Sequence, residues 1–351
     1  MRTTLKSCVA VAVVHVLGGP SALAGGGNRV GTASADQLLI PVGARGIALG
    51  SSYTAGISGV NAIYFNPAGL SASTARAEAT FSSMKSIGDI GVSYFAVGAN
   101  FSGFGHLAFS VKSLSFGDIP RTDERSTDGS FATYSPTFVN IGLTYSRALT
   151  DRIRAGVTAN IISETIDRVS ASGVAFDIGV QYSGLAGVRG LGLGVTLKHL
   201  GANMKYDGPG LLRSAKENLT NRPAQLLKID AAGFGLPTSL EIGLAYTAAV
   251  SDLHAVTMTG AFENNNYLAD QYRVGAEYAF KNFFFLRGSV NIPGGAPVDE
   301  FDNSKNDYIY SGAFGAGVNY ASGDVNIGLD YAYRMSEIFA GSHVFTINLG
   351  F

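Results

Sequence analysis

Tryptophan is absent from this chain, and cysteine occurs once, at Cys8. Cys8 lies in an amino-terminal stretch with the makeup of an export signal. Arg2 and Lys6 give a basic start, Cys8 to Leu17 is an apolar run broken only by His15, and Ala22-Leu23-Ala24 supplies a small-residue cleavage pattern. Cleavage is expected after Ala24, so that residues 1–24 are a signal peptide and the mature chain has no cysteine. That excludes disulfides, thiol catalysis and thiolate metal sites. It also excludes a lipoprotein anchor, which needs a cysteine at the cleavage point. The apolar run is too short for a spanning helix, which takes about 20 residues.

Charge is scarce too. Only 15% of residues are charged, and loss of Arg2 and Lys6 takes the formal charge from −1 to −3. No basic footprint for nucleic acid exists. After the signal no apolar run approaches the length of a membrane helix, yet the mean hydropathy is positive, +0.20. Such a chain must hide its apolar residues by alternation. Within a bilayer only a closed barrel does this, because every backbone donor and acceptor must pair inside the protein. Without tryptophan, an interfacial aromatic belt falls to the 16 Tyr and 21 Phe.

Alternation is plentiful, and glycine, at 46 of 351 residues, is at roughly twice its average usage of about 7%. In the last nine residues, His343 to Phe351, Val344, Thr346, Asn348 and Gly350 alternate with Phe345, Ile347, Leu349 and Phe351. A strand ending in a carboxy-terminal aromatic, on an exported chain, has the form of the closing strand of a bacterial outer-membrane barrel, with Phe351 as its barrel-assembly terminus. Fourteen segments alternate in this way: 78–86, 90–100, 104–116, 136–149, 152–167, 172–183, 189–200, 238–250, 253–263, 271–280, 282–292, 309–321, 323–333 and 342–351. The long connections, 117–135, 201–237 and 293–308, follow the third, seventh and eleventh strands. All three therefore fall on one side, with short turns on the other, as in outer-membrane barrels. A secreted β-sandwich or propeller would alternate equally well, but its exposed face would be polar. Here one face is Leu, Val, Ile, Phe and Tyr, and the other is Gly, Ala, Ser and scattered charge.

The charges expected on the inward face are Arg154, Asp177, Lys198, Glu241, Arg273, Glu277, Arg287 and Asp330. Both signs occur, which argues against an ion-selective pore. They read as salt bridges that fill the lumen, or as groups that hold a plug or line a polar path. No histidine pair has metal-ligand spacing, so neither a metal nor another cofactor is expected. The Gly-rich runs 190–194 and 312–317 lie on strand candidates with no helix following, and so fail the context test for dinucleotide binding. The acidic loop 299–307 lacks the glycine and closing glutamate of an EF-hand. Asn218-Leu219-Thr220 matches a glycosylation sequon that would be idle in a bacterium. Nothing points to an enzyme.

Residues 25–77 do not alternate. A helix-like stretch covers Ala33 to Ile40, and Asn66 before Pro67 makes an N-cap with proline in the first helical position. About fifty residues ahead of the first strand are long enough to fold back into the lumen of the 78–351 barrel as a plug. This segment carries a resemblance. Residues 34–50 (SADQLLIPVGARGIALG) and 61–70 (NAIYFNPAGL) resemble the start of the PorV/PorQ family, which is akin to FadL-type long-chain fatty acid transporters. The matching positions include Gly43, Ala44, Arg45, Asn66, Pro67, Ala68, Gly69 and Leu70. Residues 191–206 and Leu236-Pro237-Thr238 also look like the family's internal pattern. The chain departs from it at Ile57-Ser58-Gly59-Val60, where relatives carry an acidic pair. The resemblance covers the mature chain in layout and about a sixth of it in specific motifs.

The resemblance implies a fourteen-stranded barrel with an amino-terminal plug in the outer membrane of a Gram-negative bacterium. Its surroundings would be outer-membrane lipid and the barrel-assembly machinery. Three functions follow: a conduit for a hydrophobic ligand, a type IX-like secretion component binding a protein client, or a structural barrel without ligand. Leu211, Leu212, Leu226, Leu227 and Phe234 in the 201–237 loop are the expected ligand or client surface, since exposed apolar patches mark binding without naming the partner.

Overall fold

A computed structural model describes residues 33, 35–122, 126–129, 132–216, 223–267, 270–294 and 309–351. The export signal, the sequon and the acidic loop 299–307 lie outside the described residues.

Fourteen antiparallel strands close into a barrel. They are β1 (Ala77–Lys85), β2 (Gly91–Phe101), β3 (Gly105–Ser115), β4 (Thr137–Ala148), β5 (Ile153–Ile166), β6 (Val169–Ser183), β7 (Leu191–Gly201), β8 (Ser239–Ser251), β9 (His254–Asn265), β10 (Gln271–Phe280), β11 (Phe284–Pro293), β12 (Gly312–Ser322), β13 (Val325–Met335) and β14 (Ser342–Gly350). Each pairs with its neighbours in sequence, and β1 pairs with β14 in a register that sets Phe81 opposite Ile347 and Met84 opposite Val344. Phe351 adds to the seam: its carbonyl accepts from the N–H of Arg76 (2.7 Å) and Ala77 (3.2 Å). All fourteen alternating segments of the sequence are barrel strands, each within a few residues of its expected ends.

The two faces differ as the period-2 pattern demands. On β8, Leu240, Ile242, Leu244 and Tyr246 are exposed, while Glu241 and Ala245 between them are buried. Exposed apolar residues continue round the wall, among them Phe81, Phe95, Leu143, Ile161, Leu286 and Phe345. An eleven-residue strand such as β13, at about 3.3 Å per residue and a tilt of about 40°, gives this belt a height of roughly 25–28 Å, matching the apolar band of a membrane barrel. No helix among the described residues is long and apolar enough to cross a membrane.

The packed core lies inside the barrel. The largest fully buried apolar side chains include Phe65, Ile47, Leu49, Ile57 and Leu70, all from the amino-terminal segment. Residues 35–76 pack against the inward face of the wall through 3₁₀ turns Asp36–Leu39, Gly59–Ala62 and Pro67–Ala72 and one short helix, α1 (Ala44–Ala48). The helix-like stretch expected over Ala33–Ile40 is only the first of these turns. Ala35 takes a left-handed φ of 62°, and Ile40, which precedes Pro41, is driven to extended backbone. The long connections hold small hairpins of their own: Ile119–Pro120 with Thr133–Tyr134, Met204–Lys205 with Gly233–Phe234, and Leu212–Ala215 with Gln225–Lys228.

Candidate functional site

The candidate site is the contact between the amino-terminal segment and the wall. It begins at the Asn66-Pro67 step. Asn66 accepts from the N–H of Ala68 (3.1 Å) and so caps the third turn. Its Nδ2 donates to the carbonyls of Thr54 and Val180, both at 3.1 Å, which ties the cap to β6. Gln181 of β6 donates to the carbonyls of Thr54 (3.0 Å) and Ile57 (3.1 Å). Wall glycines admit this close approach. A Cβ at Gly156 would stand 2.5 Å from the carbonyl of Pro67, and one at Gly179 would overlap Asn66. Gly156→Val is therefore expected to push the Pro67–Ala72 turn off the wall at a cost of about 1–3 kcal/mol, the range for overpacking. The check is faster protease cleavage within residues 35–76 of the assembled barrel.

Two buried ionic networks grip the segment elsewhere. Arg45 of α1 donates from Nη2 and Nε to the two oxygens of Glu277 on β10 (2.8 and 3.0 Å), a bidentate pair. Glu277 also accepts from Arg287 of β11 (2.6 Å), which reaches Asp330 of β13 (2.5 Å). Asp330 accepts from Asn348, and Asn348 accepts from Asn61 of the segment, both at 2.9 Å. In the second network Glu241 of β8 accepts from Lys198 (2.8 Å), Arg273 (3.3 Å) and the Thr54 hydroxyl (2.9 Å), and Arg273 also pairs with Glu263. Further holds are Ser52 on Thr259 (2.6 Å), the N–H of Ala44 on Thr346 (2.8 Å) and the N–H of Val60 on Glu78 (2.8 Å). Glu78 thus brings a wall carboxylate to the Ile57–Val60 stretch that lacks acids of its own.

Six of the eight expected inward charges, Lys198, Glu241, Arg273, Glu277, Arg287 and Asp330, join these networks. Arg154 instead bonds Ser183 (3.0 Å), and Asp177 bonds Asn160 and the N–H of His199, each at 2.7 Å. Sequence reading passed over Glu78, Lys112, Glu164 and Glu263, although each stands at an inward position of its strand and could have been found by phase. The bulge between Phe176 and Ile178 opposite β7 had no such signal. It turns both Lys198 and His199 inward, against strict alternation.

At the long-loop end the segment meets the 201–237 connection. Ala33 bridges to Gly235, and the buried Glu164 of β5 accepts from Gln37 (2.7 Å) and from the Tyr206 hydroxyl. Burial, and then the neighbouring Glu164, push the Asp36 carboxyl above its ordinary value. The five apolar residues expected at this surface divide. Leu226 is 71% exposed, and Leu212 and Leu227 are also exposed on the same hairpin, whereas Leu211 is half-buried. Phe234 packs on Tyr206 (5.5 Å between ring centroids) beside Leu38, Met204 and Leu236. It is a floor residue rather than part of an open mouth.

No family model matches this chain, and no curated protein matches it. Solved structures share its fold. A CymD monoaromatic hydrocarbon channel superposes with a TM-score of 0.55 at 14% identity, covering 89% of this chain and 98% of the channel. The Ralstonia pickettii toluene transporter TbuX gives 0.55 at 12% identity, over 88% and 98%. A Pseudomonas aeruginosa FadL homologue gives 0.51 at 12% identity, over 88% and 98%. At such identities the likeness establishes the architecture alone: this chain has the closed fourteen-stranded barrel of those channels.

Proposed function

We propose that this chain is an outer-membrane barrel of a Gram-negative bacterium, of FadL-like and PorV/PorQ type. In this reading it carries hydrophobic small molecules past an amino-terminal plug. The observation that carries the proposal is a barrel with an apolar outer belt whose lumen is filled by a separable segment of the same chain, held by discrete polar contacts. A lumen closed by its own covalent core would have no path; one closed by a segment on polar holds opens when those holds release. The named activities of the channels with the same fold support the choice of hydrophobic solutes. A second reading, a secretion component that docks a protein client, is favoured by the exposed Leu212, Leu226 and Leu227 hairpin.

Native mass spectrometry of the protein, extracted in mild detergent from its own membrane, separates the two readings. Transport predicts a retained small apolar mass, and a retained protein chain instead would sink that reading in favour of secretion. The terminal strand gives another expected outcome. The Phe351 side chain is half exposed while its backbone closes the seam. Phe351→Ala therefore leaves the seam bonds in place but removes the aromatic offered to the assembly machinery. The fraction of heat-modifiable barrel in the outer membrane should fall several-fold, while refolding from urea into detergent should be unaffected.

A further inference from the structure

Strands β2 to β7 enclose a cavity roofed by Leu38 and Tyr64 of the amino-terminal segment. The space open to water centres is about 40 Å³, room for about three waters. Its wall carries Lys112 and Asp177, which face each other across this space with no direct ion pair to any described residue. Lys112, 5% exposed, donates only to the carbonyls of Leu38 (3.4 Å) and Ile40 (3.1 Å) and lies 4.8 Å from the centroid of the Tyr64 ring. Asp177, 7% exposed, holds only the Asn160 amide and the His199 N–H. Between them Asn140, also 5% exposed, has neither its side-chain nitrogen nor its oxygen hydrogen-bonded.

His199 completes the wall at a conformational cost. Its φ of 57° is left-handed for a non-glycine residue, and the bulge opposite Asp177 is what turns it inward. Strain of this kind gathers at functional sites. His199 Nδ1 lies 3.1 Å from the Pro237 carbonyl, which can only accept. The proton of the neutral ring therefore sits on Nδ1, and Nε2 is left as an acceptor.

Buried charges without partners are costly, and a buried amide without partners adds to that cost. Two opposite charges and a free amide facing one small cavity are complementary to a solute that carries both charges itself. We infer that this cavity binds a compact zwitterion, an α-amino acid of glycine or alanine size. Its carboxylate lies toward Lys112 and the Asn140 nitrogen, and its ammonium toward Asp177 and His199 Nε2. A simple anion would face Asp177 unpaired, and a simple amine would face Lys112. The inference rests on the cavity and not on the transport reading.

The test refolds the mature protein from urea into detergent with radiolabelled glycine present, so that entry does not depend on the segment moving, and then removes free label by gel filtration. A stoichiometric amount of glycine should stay with the barrel. Excess unlabelled alanine during refolding should displace it, whereas acetate or methylammonium at the same concentration should not. Lys112→Met and Asp177→Asn should each lower retention about tenfold or more; if either variant fails to assemble, the wild-type competition series decides alone. No retained label would mean that the cavity holds water only and would overturn the proposal. So would displacement by acetate as effective as that by alanine, which would make the site one for anions.

Discussion

Deleting residues 26–75 should leave a heat-modifiable barrel whose single-channel conductance is at least about tenfold above that of the intact protein. An eight-stranded barrel fills its interior with its own side chains, whereas barrels of sixteen or more strands leave an aqueous channel. Fourteen strands fall near the second case, and here the filling is supplied by Phe65, Ile47, Leu49, Ile57 and Leu70 of the segment rather than by the wall. Without them, polar wall residues such as Glu241, Arg273, Glu277 and Gln181 would face water. The seam between β1 and β14 and the other pairings do not pass through the segment, so closure should survive. Unchanged conductance would mean that the segment does not block the path.

The second large effect is expected at Glu277. Its carboxylate is shared between Arg45 of the segment and Arg287 of the wall. Glu277→Ala leaves both guanidinium groups in a buried setting with one acceptor gone. Breaking a buried pair by removing one partner costs about 3–5 kcal/mol. With the segment displaced, Arg45 returns to water and Arg287 keeps Asp330, so much of that cost falls on the closed state alone. At about 1.4 kcal/mol per tenfold, the open population should rise by roughly 10²–10³. The converse variant, Arg45→Met, should do less, because Glu277 then keeps Arg287. Opening frequency in planar bilayers measures both, and an unchanged opening frequency in Glu277→Ala would show that the pair does not act as the hold.

Much of this architecture could be read from the chain. Leu240, Ile242, Leu244 and Tyr246 opposite Glu241 announce both the strand and its faces, because the side-chain period of a strand is two and nothing else in the chain imposes it. The grouping of the long connections on one side followed from counting. What stayed hidden was non-local. Alternation says that Glu277 faces inward, but only the folded segment supplies Arg45 as its partner, 232 residues away in sequence. The NPAGL motif announced a cap, yet not that Gly156 and Gly179 are its seat. The bulge at His199 breaks the period that made the rest legible, and so the cavity beside it left no trace in the pattern.

On the proposed reading, hydrophobic solutes pass when the amino-terminal segment moves. The hydroxyls of Ser52 on the segment and Thr259 on β9 lie 2.6 Å apart, and the expected mature chain has no cysteine to interfere. In a Ser52→Cys/Thr259→Cys variant, oxidation should pin the segment to the wall. The measurement is the initial rate of radiolabelled toluene uptake by cells that depend on this barrel, before and after reduction with dithiothreitol. The oxidised variant is expected to take up no more toluene than cells without the barrel, and reduction to restore the wild-type rate. Uptake at the wild-type rate with the disulfide formed would contradict that reading.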